Sequence, residues 1–222
     1  MRMANMKIII GGVAAIFLVA IAIFVWMTLP SASPSVEEPV VAAPQQMATS
    51  TYATTTYSLV YPNDFSVNRE YVNDQVNPKK PIYGVKFIVP IAMATGTNLS
   101  SYDTGISVEQ LPRAKNCTGD IYLAADVKPI TVTENGVRYS VAISSGAATG
   151  NRYEEVVYAL SDSSPCTAMR YFIHSTAIEN YSAGAIREFD REELIAAFDT
   201  IRQSLRLGPV SAPASQIPAQ TP

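Results

Sequence analysis

The 222-residue sequence contains one histidine, two cysteines and one tryptophan, and only 16% of it is charged. Each shortage excludes something. With His174 as the sole imidazole and Cys117 and Cys166 as the sole thiols, the spacings match no zinc signature. A net charge of -3 denies the chain the basic face that displaces counterions from nucleic acid, so no nucleic-acid partner is expected. The small-residue run SSGAATGN at 144–151 lacks the Gly-Lys-Ser/Thr ending of a phosphate-binding loop, and no helical period follows it. It reads as a hairpin loop. No cofactor is expected.

The stretch PCTAMRYFIHS, 165–175, holds the histidine and one cysteine, and so raises the question of a thiol–imidazole pair. The alternation of Thr167, Met169, Tyr171 and Ile173 makes it a strand. Eight residues at about 3.3 Å each hold Cys166 and His174 roughly 26 Å apart, whereas a nucleophile and its base need about 3 Å. Nothing in TAMRYFI turns the chain back, so His174 is assigned a structural place at the strand end. Cys166 is then paired with Cys117 in a disulfide, the reading that suits an oxidising compartment. Arg170 shares a strand face with Cys166 and His174, among Ala168 and Phe172. A partly buried arginine there is either ion-paired or a ligand anchor, and Arg170 and His174 are the residues to inspect for an interaction site. Glu154 and Glu155 point to opposite faces of their strand and cannot share a substrate.

Charge is absent altogether from Ile8 to Leu29. As a helix this run is roughly 33 Å long, enough to cross a hydrocarbon core of about 30 Å. Arg2 and Lys7 precede it and the next basic residue after it is Arg69, so the positive-inside rule keeps residues 1–7 in the cytoplasm and places everything beyond 8–29 outside. A cleaved signal peptide is the rival reading, but the run is long for one, and Pro34 directly follows the small-residue site at 31–33. Residues 30–50 carry four prolines and no aromatic residue, which makes them an extended linker, and 209–222 has the same character. All twelve tyrosines fall between, in one extracytoplasmic domain over 51–208.

Within that domain short alternating segments dominate. TYSLVYP, FSVNREYV, IYGVKFIVP and GISVEQL each fit a half-buried strand, with Tyr83, Val85, Phe87 and Val89 on one face. In ITVTENGVRYSVAI, Asn135-Gly136 predicts a two-residue type I′ turn that pairs Glu134 with Val137, Val132 with Tyr139 and Ile130 with Val141. RYEEVVYAL and CTAMRYFIH follow as antiparallel neighbours. The period then changes: Leu194, Phe198, Ile201 and Leu205 form one helical stripe. Asp190 stands as its N-cap with Glu193 three residues on, Arg202 and Arg206 lie near its end, and Gly208-Pro209 stops it.

YSLVYPNDFSV at the domain's start and LIAAFDTIRQSLRL at its close resemble the PsbP-like proteins, the family of the extrinsic oxygen-evolving subunits of photosystem II. The resemblance covers roughly 52–207. It implies an α+β fold in which an antiparallel sheet is packed by helices, an α/β/α sandwich, here preceded by one transmembrane helix. It also implies a binding or assembly role rather than catalysis. The Cys117–Cys166 pair departs from the family, and no calcium or manganese ligand can be mapped onto this chain. The expectation is therefore a single-pass protein of the cell membrane, held by residues 8–29, whose outer domain binds another envelope protein without catalysis. The alternatives are a small-ligand or metal site near Arg170 and His174, or an envelope hydrolase with scattered residues.

Overall fold

The computed structural model describes residues 48–208. The cytoplasmic stretch 1–7, the anchor 8–29, nearly all of the linker 30–50 and the tail 209–222 lie outside the described residues. Among those described, no helix is long and apolar enough to cross a membrane.

Among the described residues, ten strands and two α-helices follow in order. They are β1 (Thr49–Ala53), β2 (Tyr57–Pro62), β3 (Ser66–Asn73), β4 (Ile82–Ile88), α1 (Ile91–Ala94), β5 (Gly105–Leu111), β6 (Ile130–Glu134), β7 (Val137–Ala148), β8 (Asn151–Leu160), β9 (Cys166–Thr176), α2 (Arg191–Gln203) and β10 (Arg206–Leu207). The strands make two antiparallel sheets, β1-β2-β10 and β3-β4-β5-β9-β8-β7-β6. The architecture is α+β, rich in sheet and poor in helix. Because β1 begins at Thr49, the last two residues read as linker belong to the folded domain.

Asn135-Gly136 sets the β6–β7 register as its turn chemistry predicts: Glu134 faces Val137, Val132 faces Tyr139 and Ile130 faces Val141. Asn135 and Gly136 both take positive φ, as that turn demands. The run 144–151 is shorter as a loop than its composition suggests. β7 continues to Ala148 and only Thr149 and Gly150, both at positive φ, make the turn.

One face of the large sheet presents Val85, Phe87, Ile106, Val108, Met169, Tyr171 and Ile173, all buried. They pack with Tyr57 and Leu59 of β2 and with Leu194, Phe198, Ile201 and Leu205. The predicted helical stripe is thus core. Tyr83 is the exception on its strand, 66% exposed, because its neighbours there are Val72 and Gln110 near the end of the sheet.

Asp190 caps α2 by accepting from the Glu193 amide at 2.9 Å. The helix stops at Gln203, before the Gly208-Pro209 signal. The Ser204 hydroxyl donates to the Ile201 carbonyl at 2.7 Å and accepts from the Val60 amide at 2.8 Å, which turns the chain onto the edge of β2. Arg206 therefore sits in β10 rather than in the last helical turn. Arg202 is buried between the Tyr139 and Tyr158 rings and paired with Glu134 and Asp199.

The second face of the sheet carries Ile82, Ala142, Val157, Ala159, Cys166 and Ala168, covered by Tyr122 and Leu123. Where a sandwich would place a second helical layer, residues 112–129 form a loop with one 3-10 turn, Gly119–Tyr122. Cys117 ties that loop to Cys166, with Cα atoms 5.1 Å apart, inside the range a disulfide requires.

Candidate ligand site on the second sheet face

Alternation along β9 sends Cys166, Ala168, Arg170, Phe172 and His174 to this second face, since Met169, Tyr171 and Ile173 point into the main core. Cys166 and Ala168 lie under the disulfide-tied loop. Arg170 sits at the centre and His174 at the open end.

Arg170 is 3% exposed, and a lone charge so placed would be costly. It is paired instead, with four of its five donors used. Nε donates to Glu109 Oε1 at 2.9 Å and Nη2 to Glu109 Oε2 at 3.1 Å, a bidentate pair. Nη1 donates to Glu155, and Nη2 also donates to the Tyr122 carbonyl. Burial opposes the guanidinium charge, but Glu109 and Glu155 outweigh it and hold its pKa above the ordinary range. The choice left open by the sequence falls to ion pairing. Glu109 comes from β5, two strand positions from Ser107, whose hydroxyl donates to it at 2.8 Å. Glu154, on the other face, pairs with Arg191.

His174 is occupied at both ring nitrogens. Nδ1 faces the Asp103 carboxylate at 2.8 and 2.9 Å, and Nε2 faces Asn151 Oδ1 at 3.1 Å. The Tyr153 ring stacks on it with centroids 4.6 Å apart. Asn151 thus takes the place in which a hydrolase would need a hydroxyl nucleophile. Cys166 lies at the other end of the extended strand β9.

Between these two ends is a cavity of about 130 Å³, lined by Tyr71, Asn73, Lys86, Asp103, Glu155 and Arg170 among others. Arg170 lines it directly, and His174 bears on it only through Asp103. Two glycines let β4 and β5 approach closely on this face. A Cβ on Gly84 would collide with the Val108 carbonyl, and one on Gly105 with the Phe87 carbonyl. Lys86 itself is 7% exposed, with Nζ 4.6 Å from the Phe172 ring centroid and 5.3 Å from that of Tyr71. Burial pulls its pKa down to about 8, against the raising effect of Asp103 and Glu109. Sequence reasoning missed Lys86, Glu109 and Asp103. The available signal was on β4, where Ile82 and Ile88 flank Lys86 on its own face and mark that face as covered.

Among the described residues no three His, Cys, Asp or Glu side chains are grouped to hold a metal ion. No family model matches the chain, and no curated protein matches it. A crystal structure of a Bacteroides thetaiotaomicron protein is similar over 71% of this chain, at 9% identity and a TM-score of 0.38. The match spans 47% of that protein, so about half its length.

Proposed function

We propose that this chain is a membrane-tethered binding domain, working without catalysis on the outer side of the cytoplasmic membrane by contact with another envelope protein. One observation carries the reading: the thiols, the imidazole and the guanidinium that the sequence offered as candidates are each engaged by neighbouring groups. Cys117 is bonded to Cys166, His174 is engaged at both nitrogens, and Arg170 gives four of its five donors to Glu109, Glu155 and the Tyr122 carbonyl. The uncharged run Ile8–Leu29 behind Arg2 and Lys7 supports the tether and its direction. The resemblance to PsbP-like proteins, with the layered sandwich it implies, belongs to the same reading.

The test has two parts. Protease added outside cells with permeabilised outer layers should digest 51–208 and spare 1–29. Photo-crosslinkers placed on exposed residues such as Tyr83 and Ile143 should then capture a discrete envelope protein from native membranes. Protection of the whole chain, or crosslinks to lipid alone, would overturn the proposal.

A second reading, a small-ligand site near Arg170 and His174, is favoured by the cavity beside Arg170. It is compatible with the first.

A further inference from the structure

Four charged side chains are buried among the described residues: Lys86, Glu109, Arg170 and Arg202. Glu109, Arg170 and Arg202 each make ion pairs and hydrogen bonds. Lys86 alone has neither within the described residues. Its ammonium carries three donors. The aromatic rings of Tyr71 and Phe172 attract its charge but do not satisfy those donors. The Lys86 nitrogen keeps access to the cavity, and a partner for its donors has to come from that space.

The charges around that cavity specify the partner. Arg170 and Glu109 neutralise each other through their bidentate contact. What remains is one cation, Lys86, and two carboxylates, Glu155 and Asp103. Glu155 accepts from Arg170 through one oxygen, and Asp103 holds His174 and Ser100. A plain anion would meet Lys86 and also two like charges. A plain cation would meet the carboxylates and also Lys86. A molecule with both charges a few ångströms apart satisfies the whole set. The cavity of about 130 Å³ equals the liquid volume of roughly four waters, which limits the guest to a few heavy atoms.

We propose that this cavity binds a small free amino acid as its zwitterion, the carboxylate on Lys86 and the ammonium between Asp103 and Glu155. Tyr71 and Phe172 wall the Lys86 end, Asn73 at the end of β3 adds a buried Nδ2 that has no partner among the described residues, and Gln75 from the β3–β4 connection reaches the rim. The inference rests on the small-ligand reading and gives it a chemical class. Glycine, alanine and serine fit the volume; phenylalanine does not.

The experiment is calorimetric titration of the full-length chain in detergent micelles. The probes are glycine, L-alanine, L-serine and L-phenylalanine, with acetate and methylamine as the two halves of the zwitterion. At least one of the three small amino acids should bind saturably with one site, at least about tenfold tighter than acetate, methylamine or phenylalanine. Lys86→Met should weaken that binding at least about tenfold. Gln75→Trp, at an exposed rim position that carries no charge, should do the same by filling the mouth. Acetate or methylamine binding as tightly as the amino acids would overturn the zwitterion and leave the small-ligand reading standing. No saturable heat from any probe at millimolar concentration would overturn both. Amino-acid binding unchanged in both variants would place the site elsewhere and also defeat the proposal.

Discussion

Replacing Lys86 by methionine should stabilise the domain, and by an amount that depends on pH. Methionine keeps the unbranched stem between Tyr71 and Phe172 and removes the charge. In the folded chain the ammonium pKa is lowered from 10.5 to about 8. A base whose pKa falls on folding is bound more tightly to its proton in the unfolded chain, so the wild-type protein gains stability as pH rises from about 8 to 10.5. Below that window the penalty is complete. At 1.36 kcal/mol per unit, the shift amounts to about 3 kcal/mol at pH 7, about 2 at pH 9 and less than about 1 at pH 10. Whatever methionine changes in packing is independent of pH and shifts the three differences together. Urea unfolding of both chains at those pH values, without reductant, measures them. No free thiol is present to reshuffle the disulfide at the alkaline end. The stability difference should shrink by about 2 kcal/mol or more between pH 7 and pH 10. Parallel curves, within about 0.5 kcal/mol across that range, would mean that the ammonium is solvated and the site misdescribed.

Three further outcomes are expected. Phe198→Ala, at a fully buried position on α2, should cost about 3–5 kcal/mol in denaturant unfolding; a change below about 0.5 would make the helix peripheral. Glu109→Leu should cost about 3–5 kcal/mol by stranding Arg170, and adding Arg170→Met should restore much of the loss, since an apolar pair replaces a buried ionic one at little cost. Reduction, or alanine at both Cys117 and Cys166, should lower the melting temperature. The bond closes a separation of 49 residues, for which chain entropy gives about 4 kcal/mol; an unchanged melting temperature would refute that contribution.

Local features of the chain were legible in the sequence. The Asn135-Gly136 turn, the alternation of β9 and the 194–205 stripe are each written within a dozen neighbouring residues; the first two took the expected form, and the stripe is buried as expected. The Cys117–Cys166 bond was legible because no other pairing existed. The partners of Arg170 were not. Glu109 reaches it only because β5 lies beside β9, a pairing that no local pattern encodes. Lys86 was missed because a lysine on an alternating strand is ordinarily solvated, although Ile82 and Ile88 share its face. Its burial depends on Tyr71 from β3 and Phe172 from β9 closing over it. The end of α2 was misplaced for a similar reason: the free edge of β2 draws Arg206 and Leu207 into a strand.

The strand order has a consequence for how the domain forms. β3-β4-β5 and β6-β7-β8-β9 are two meanders, each built from neighbouring strands, and in the large sheet β5–β9 alone joins them. The residues paired there lie about sixty apart in sequence, so their encounter carries the largest loop-closure cost in that sheet and should limit the folding rate. Leu111 pairs with Cys166 at one end of this seam, and the bond from Cys166 to Cys117 holds that end together even in an unfolded chain. With the bridge intact, refolding becomes a zipping from a fixed point. After reduction it becomes a search between two preformed halves. Stopped-flow refolding should therefore be faster in the oxidised chain, by up to about a thousandfold if the full chain-entropy gain is felt in the transition state, while the unfolding rate changes little. The opposite partition, with unfolding alone accelerated by reduction, would mean that the two meanders dock after the barrier and that the seam is the last part of the sheet to close.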